Sequence, residues 1–303
     1  MLIDSFLEYL RVERNYSSKT LVSYKNDLRQ FEDFFLRKDT ELSWQAIHAD
    51  VIRQWVMQMM AEKYTATSVN RKLSALRSFF RYLLLRKQIK SSPMMNVKGP
   101  KKKKPLPVFV KERDMDKLLD DVELIDFESV RDRMILEVFY ETGIRLSELI
   151  GLDDADVDFG MSVIKVTGKR NKQRIIPFGE ELAKDLMMYI QLRNEELPVR
   201  DSDALFVRTK SGKRMYPVLV YDLVKKSLSR VVALKKRSPH VLRHSFATSM
   251  LNHDANLEVV KELLGHESLA ATEVYTHTTF EELKQVYKQA HPRAFKKGGL
   301  YGN

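Results

Sequence analysis

A segment rich in proline and lysine near residue 100 most limits how this chain of 303 residues can fold. From Ser91 to Pro107 the sequence reads SSPMMNVKGPKKKKPLP. Proline removes backbone donors and adjacent lysines repel one another, so neither a helix nor a strand is expected there. Because a chain of this length favours two domains, we predict one domain over residues 1–95, a basic linker over 96–107 and a second domain over 108–303.

The charge of the chain is strongly positive, with 52 Lys and Arg against 41 Asp and Glu and a net charge of +11. The basic residues cluster on predicted connections, at 98–104, 169–174, 208–214 and 235–237. Clusters of this kind favour contact with a polyanion such as nucleic acid. The chain has no cysteine, which excludes disulfides, thiolate zinc sites and a cysteine nucleophile. Its apolar stretches are too short for a membrane span and its N-terminus does not resemble a signal peptide, so we expect a cytoplasmic location.

Apolar residues at helical spacing predict four helices between Asp4 and about Lys90. Ser18 is a candidate cap for the second helix. The fourth helix begins at about Ser68 and carries arginines and lysines between its apolar positions. This basic face fits either solvent exposure or a position along a DNA groove, and the sequence does not decide between them.

The second domain combines helices with one predicted β-hairpin. The predicted helical segments are 131–141, 145–150, 180–193, 218–232 and 257–264. Residues 162–178, SVIKVTGKRNKQRIIPF, place Val163, Ile164 and Val166 opposite Ile175 and Ile176 across a polar turn. The fold class is therefore mainly α with a small β-sheet.

Several common sites are excluded. The sequence contains neither GxxxxGK[ST] nor GxGxxG, which argues against a P-loop and a dinucleotide turn. The acidic cluster from Asp153 to Asp158 resembles a calcium loop, but Phe159 and Lys165 occupy the positions that require glycine and glutamate. We predict that this cluster connects a helix to a strand.

Five of the seven histidines lie within the 38 residues from His240 to His277. His240 and Arg243 are three positions apart, which places them on one helical face if Pro239 opens a helix. His266 follows Gly265, a candidate helix end, and Tyr275 lies on a predicted short helix beyond it. Arginine beside histidine favours an anion over a metal ion.

Residues of these types could break a phosphodiester bond. Two arginines can bind non-bridging phosphate oxygens and stabilise the charge of a five-coordinate phosphorus. A tyrosine costs about 4 kcal/mol to ionise at pH 7 and therefore needs a nearby base, for which histidine is suited. A lysine can protonate the leaving 5′-oxygen. Such a reaction requires neither a metal ion nor ATP, and we predict no cofactor.

The chain resembles the tyrosine recombinases, also called the phage integrase family, and within it the Xer site-specific recombinases. The resemblance spans nearly the whole sequence and is carried by TGIRLSEL, GKRNKQR, HVLRHSFAT and LLGH, with a tyrosine nine residues beyond the last motif. The resemblance assigns six catalytic residues, namely Arg145, Lys169, His240, Arg243, His266 and Tyr275.

The resemblance also implies a role for each of these residues. Arg145 and Arg243 would bind the scissile phosphate and His266 would add a hydrogen bond to it. His240 would act as acid or base, Lys169 would protonate the leaving oxygen, and Tyr275 would form a 3′-phosphotyrosyl bond.

Further implications concern fold and partners. The N-terminal domain resembles the SAM-like core-binding domain, and the second domain would be the α+β catalytic domain. The partners implied are duplex DNA with a short inverted repeat, a homo- or heterotetramer formed with a second recombinase through an exchanged C-terminal tail, and a septal DNA translocase. The expected function is recombination through a Holliday junction in chromosome dimer resolution.

Three alternatives stay open. The first is an integrase or excisionase of a mobile element, which shares the chemistry. The second is a type IB topoisomerase. The third is a DNA-binding regulator without catalysis.

Arg170 departs from the family pattern because glycine usually follows the lysine.

Overall fold

The computed structural model describes residues 2–102, 108–121, 123–168, 171–200, 203–231, 234, 236–265 and 277–294, with side chains in the last helix from residue 281 onward. The chain divides into two compact units, residues 1–105 and 106–303. Within the described ranges, no helix is both long enough and apolar enough to cross a membrane.

The N-terminal unit consists of four helices, as predicted. They are α1 (Leu2–Val12), α2 (Ser18–Leu36), α3 (Ala49–Ala61) and α4 (Ala66–Leu85). The side chains of Ser17 and Thr65 accept hydrogen bonds from the backbone N–H groups of Thr20 and Ser68 and so cap α2 and α4. The α2 cap is therefore Ser17, one residue before the predicted Ser18.

Aromatic side chains form much of the core of this unit. Trp44 packs edge-on against Phe79 with ring centroids 4.6 Å apart, and it also contacts Phe31 and Phe35. Edge-to-face packing aligns the positive edge of one ring with the negative face of another and adds to the hydrophobic contribution. The core thereby joins α2 and α4 through the short helical turn at Trp44–Ala46.

Part of the basic face of α4 is internal. Lys72 is only 5% exposed, and its Nζ lies 3.0 Å from Oδ1 of the buried Asp27 on α2. Arg71 donates to the same carboxylate, with Nη2 2.8 Å from Oδ1. These two cations neutralise a buried acid, whereas Arg81 on the same helix is exposed.

The first residues of the predicted linker pack against α4. Val97 is buried in the core of the N-terminal unit, and its carbonyl accepts a hydrogen bond from Arg77. The Asn70 side chain donates to the Pro100 carbonyl at 2.8 Å. Residues 97–100 therefore extend the N-terminal unit, and residues 103–107 lie outside the described part of the chain.

The C-terminal unit contains eight helices and three strands in its described residues. The helices are α5 (Glu112–Asp120), α6 (Phe127–Thr142), α7 (Leu146–Gly151), α8 (Glu180–Glu196), α9 (Pro217–Val231), α10 (Pro239–Asn252), α11 (Leu257–Leu264) and α12 (His277–Ala290). The strands are β1 (Val157–Asp158), β2 (Val163–Thr167) and β3 (Gln173–Pro177). The helices predicted within the described residues are present, and the short helix predicted to carry Tyr275 lies outside them. Helices α5 and α12 were not predicted from the sequence.

The three strands form an antiparallel sheet in the order β1-β2-β3. The predicted hairpin is confirmed, with Ile164 paired to Ile176 and Lys165 paired to Ile175. On β3 the side chains of Arg174 and Ile176 are both buried, since alternate residues of a strand share a face.

Helix α6 runs through the core of this unit and packs against α8 and α10. A capping box between Asp126 and Ser129 starts the helix. The helix ends at Gly143, which adopts the left-handed conformation with φ of 59°. The chain turns there towards α7.

The acidic cluster connects α7 to the sheet, as predicted. Residues Asp154–Asp156 form a helical turn before β1. Asp154 accepts two hydrogen bonds from the guanidinium of Arg193 on α8, at 2.7 and 2.9 Å. The cluster therefore binds arginine side chains.

The C-terminal segment packs on its own unit. Tyr287 and His291 are buried and stack on each other, with ring centroids 5.2 Å apart. Arg293 lies 2.9 Å from Oδ1 of Asp120 on α5 and 3.6 Å from Oε1 of Glu141 on α6. These contacts hold the chain as far as Ala294, and exchange of the tail between protomers stays a prediction.

Candidate active site

Arg145 is placed by the sharp turn between α6 and α7. Gly143 takes φ of 59°, a conformation that residues with a Cβ adopt at a cost. A Cβ at this position would lie 2.5 Å from Cδ1 of Phe246. Arg145 is the N-cap residue of α7, and its backbone N–H donates to Oε2 of Glu148 at 2.8 Å. Glycine is therefore required for the turn that presents Arg145.

Glu148 is a buried carboxylate between two arginines. Its Oε1 accepts a hydrogen bond from Arg145 Nη1 at 2.7 Å. Arg174 donates to both of its oxygens, with Nη1 and Nη2 each at 2.9 Å. Burial by itself would raise the pKa of Glu148, but the hydrogen bonds and charge of Arg174 and Arg145 lower it to about 2. Glu148 therefore remains ionised and orients both guanidinium groups.

Arg243 lies on α10, which begins at Pro239 as the sequence analysis expected. Its side chain is buried, and Nη1 donates to the Gly143 carbonyl at 2.7 Å. Burial, followed by the charges of Arg145 and Arg174, lowers the pKa of Arg243 to about 9. The group is still a cation at pH 7, and an approaching anion would relieve the repulsion among the arginines.

Three consecutive carbonyl oxygens at the C-terminal end of α11 each accept a hydrogen bond from a different arginine. The pairs are Arg174 Nε to Leu263 at 2.7 Å, Arg243 Nη2 to Leu264 at 2.5 Å and Arg145 Nη2 to Gly265 at 2.9 Å. The last carbonyls of a helix have no partner within it and carry partial negative charge. The end of α11 therefore brings the three cations together.

The arginine pair has donors left for a ligand. A guanidinium carries five N–H groups. Arg145 and Arg243 each use two side-chain nitrogens in the contacts above. Because the remaining N–H groups are fixed in direction by these contacts, the pair is suited to an oxyanion such as a phosphodiester.

His240 lies one helical turn before Arg243 on α10 and is exposed. Partial burial, followed by the charges of His244, Arg243 and Arg145, lowers the pKa of His240 below its usual 6.5. A neutral imidazole is thereby favoured at pH 7. It is suited to accept a proton near the arginine pair, and its role as acid or base stays a prediction.

The other three predicted residues, Lys169, His266 and Tyr275, lie outside the described residues. Lys169 and His266 each directly follow a residue that lies at the site. A Cβ at Gly168, the residue before Lys169, would lie 3.2 Å from Oε1 of Glu148. Gly265, which accepts from Arg145, directly precedes His266.

Glu148 and Arg174 were not predicted as site residues. Arg174 was grouped with a basic turn suited to phosphate contact, which is wrong for this residue because it is buried and bonded to Glu148. Two local signals were available. Glu148 stands at the third position of α7, where acids pair with the N-cap, and Arg174 alternates with the buried Ile176.

The basic cluster at residues 208–214 is also partly internal. Arg214 forms an ion pair with Asp153 and donates to the carbonyl of Ile150 at 2.8 Å. Its charge therefore serves the fold of the unit. Among the described side chains, no group of three or more His, Asp or Glu could hold a metal ion.

Two models of known protein families match this chain. Residues 109–282 match the model of the phage integrase family, and residues 3–87 match that of the phage integrase N-terminal SAM-like domain. The chain belongs to the phage integrase family, the tyrosine recombinases. The predicted family and the predicted fold class are confirmed.

Individual relatives support this family assignment. Tyrosine recombinase XerC of Chlorobaculum tepidum is 38% identical over 96% of this chain and 94% of its own. The XerC of Pelotomaculum thermopropionicum is also 38% identical, over 96% of this chain and 98% of its own. The C-terminal sequence QVYKQAHPRAFKK resembles XerC more than XerD, in agreement with these relatives.

The fold also occurs in a solved structure. XerH site-specific recombinase bound to its difH substrate, before cleavage, has a TM-score of 0.67 and 22% identity, covering 92% of this chain and 83% of that one. The enzyme class predicted from the sequence, a DNA strand transferase, is that of the family.

Proposed function

We propose that this protein is a site-specific recombinase that cuts and rejoins DNA through a 3′-phosphotyrosyl intermediate. The arrangement of Arg145 and Arg243 carries the proposal. Both arginines donate to the end of α11 immediately before the segment that contains His266 and Tyr275. The site therefore combines a phosphate-binding pair with the start of the segment that supplies the nucleophile.

In the cleavage step, the oxygen of Tyr275 attacks the scissile phosphorus and its proton passes to a base, for which His240 is the candidate. The bond from phosphorus to the 5′-oxygen breaks, and Lys169 gives that oxygen a proton. Arg145 and Arg243 stabilise the charge on the non-bridging oxygens, and their contribution is greatest in the transition state.

The rejoining step reverses this chemistry. A 5′-hydroxyl attacks the phosphotyrosyl bond and releases the tyrosine. Because the covalent bond keeps the energy of the broken linkage, rejoining needs no ATP. Attack by the 5′-hydroxyl of a second duplex exchanges strands, and two such exchanges form and resolve a Holliday junction.

We infer a role in chromosome dimer resolution. The names of the relatives support it, since the similar proteins from two organisms are XerC recombinases. The working assembly would be a homo- or heterotetramer with a second recombinase on a short inverted repeat. A DNA translocase at the division septum would control it, and the protein would act in the cytoplasm.

Denaturing capture of protein-linked DNA from the producing cell tests the chemistry. Wild-type protein should retain DNA after denaturation, and sequencing of the attached ends should give one inverted-repeat locus. Tyr275→Phe should bind DNA but retain none, because it lacks the nucleophilic oxygen. Tyr221→Phe, at an exposed tyrosine on α9, is the matched control and should behave as the wild type.

The attached ends separate the alternatives. Ends at the boundaries of a mobile element would identify an integrase or excisionase, and scattered ends without a motif would identify a topoisomerase. Covalent DNA on Tyr275→Phe would refute the choice of nucleophile. A complete lack of attachment with folded wild-type protein would leave a DNA-binding regulator.

A further inference from the structure

We propose that Arg174 is a positioning residue that fixes the phosphate-binding arginines, Arg145 and Arg243, relative to the C-terminal end of α11. It acts through two groups, the Glu148 carboxylate and the C-terminal end of α11. This inference rests on the proposed function, because it assigns Arg174 a part in the cleavage step.

The guanidinium of Arg174 joins two elements that are distant in the sequence. Nη1 and Nη2 each lie 2.9 Å from an oxygen of Glu148 on α7, and Nε lies 2.7 Å from the carbonyl oxygen of Leu263 on α11. The side chain is 7% exposed. Arg174 is therefore directed away from solvent and acts on a phosphate only through its partners.

The contact with Glu148 determines the position of Arg145. Glu148 binds Arg145 twice, through the guanidinium at 2.7 Å and through the backbone N–H at 2.8 Å. Arg174 occupies both carboxylate oxygens from the other side and so prevents the carboxylate from rotating. Without it, Glu148 would be free to close further on Arg145 and withdraw donors from the phosphate.

The contact with Leu263 determines the position of the end of α11. Arg174 packs closely here, because a Cβ at Gly265 would lie 3.1 Å from its Cδ and 3.2 Å from its Nη1. The next residue after this glycine is His266. A shift of α11 would therefore move the carbonyls of Leu264 and Gly265, to which Arg243 and Arg145 donate, and misplacement of a catalytic group by about 1 Å can cost ~100-fold in rate.

Only arginine can make this set of contacts. Its planar fork reaches both oxygens of one carboxylate while Nε donates in a different direction to a third group. Lysine keeps the charge but has a single nitrogen, which cannot hold Glu148 and Leu263 in the same geometry. Arg174→Lys therefore keeps the positive charge but loses the contacts that position Glu148 and α11.

Arg193 provides a matched control. It is a buried arginine on α8 that binds both oxygens of Asp154, at 2.7 and 2.9 Å, and the carbonyl of Leu205 at 2.8 Å. Its hydrogen bonds involve neither Arg145 nor Arg243. Arg193→Lys thus removes an equivalent fork elsewhere in the unit.

The experiment measures cleavage in a single turnover on a nicked duplex that carries the captured site, at saturating protein. Arg174→Lys should lower the rate constant by ~30-fold or more while DNA affinity changes by less than ~3-fold. Arg193→Lys should reduce the fraction of protein that reacts and leave the rate constant within ~3-fold. The separation of rate constant from reacting fraction distinguishes positioning from folding.

A second pair of variants covers the case in which Arg174→Lys does not fold. Gly265→Ala would press a methyl group against Arg174. Gly212→Ala is the control, because Gly212 has a φ of 60°, close to the 64° of Gly265. A Cβ at Gly212 would meet only Arg200 and Val199, at 3.5 Å or more. Gly265→Ala should slow cleavage by ~10-fold relative to Gly212→Ala.

Three results would overturn the proposal. The first is a wild-type rate constant in Arg174→Lys, and the second is equal loss in Arg174→Lys and Arg193→Lys. The third is the same rate in Gly265→Ala and Gly212→Ala. If wild-type protein forms no covalent product at all, the proposed function itself fails, and this inference fails with it.

Discussion

Arg243 donates a 2.7 Å hydrogen bond to the carbonyl oxygen of Gly143, a residue 100 positions earlier in the chain. Gly143 lies two residues before Arg145, at the end of α6. The two predicted phosphate-binding arginines are thus held through the same tight turn. A disturbance of this turn would alter both, which makes it the structural centre of the candidate site.

Replacement of Arg243 by alanine should reduce the rate far more than the affinity. The arginine acts mainly on charge that develops in the transition state, and loss of such a donor costs ~100–1,000-fold. Single-turnover cleavage and DNA binding, measured on the same preparation, check this. Equal losses in both would show that Arg243 contributes only to ground-state binding.

Gly143→Ala should destabilise the C-terminal unit by about 2–5 kcal/mol. The left-handed backbone costs an alanine about 1–2 kcal/mol, and overpacking against Phe246 adds about 1–3 kcal/mol. Gly151→Ala is the control, since a Cβ there meets nothing within 4 Å, and it should change stability by less than about 1 kcal/mol. Urea unfolding of both variants tests the prediction, and equal stability would contradict it.

Glu148 should make stability depend on pH in the acid range. Its pKa in the folded state, about 2, lies below the usual 4.5. The ionised form therefore stabilises the fold above pH 4.5, by about 3 kcal/mol, and this contribution is lost as the pH falls towards 2. Urea unfolding at pH 7 and pH 3 should show that the stability difference between wild type and Glu148→Gln shrinks by about 2 kcal/mol. A constant difference would show that the charge of Glu148 is unimportant.

Lys72→Met should destabilise the N-terminal unit by about 2–3 kcal/mol. Removal of one partner of a buried ion pair usually costs about 3–5 kcal/mol, and here Arg71 still binds Asp27. The salt dependence of DNA affinity should not change, because Lys72 is buried. Arg81→Gln tests the exposed part of the same helix, and a salt slope lower by about 1 would place that residue at a phosphate.

The helices and the hairpin were predictable because their signals are local. Apolar spacing located α1 to α4, and Pro239 marked the start of α10. Alternation placed Ile164 opposite Ile176. These patterns depend on residues a few positions apart, so the sequence alone is sufficient to predict the elements.

The contact partners of the basic side chains were not predictable in the same way. Lys72 and Arg174 were interpreted as parts of positive clusters, yet their partners Asp27 and Glu148 lie 45 and 26 positions away. A cluster of charge along the chain does not show which members turn inward. Lys169, His266 and Tyr275 rest on family motifs and remain predictions.

The contacts that the carbonyls at the end of α11 make with the arginines could not be predicted, because every residue type supplies a carbonyl. This has a consequence for how the site tolerates change. No side-chain substitution at Leu263 or Leu264 removes the partial charges that face Arg174 and Arg243. An insertion of one residue within α11, however, would rotate these carbonyls by about 100° around the helix axis. The arrangement is therefore insensitive to the chemistry of these positions and highly sensitive to the length of the helix.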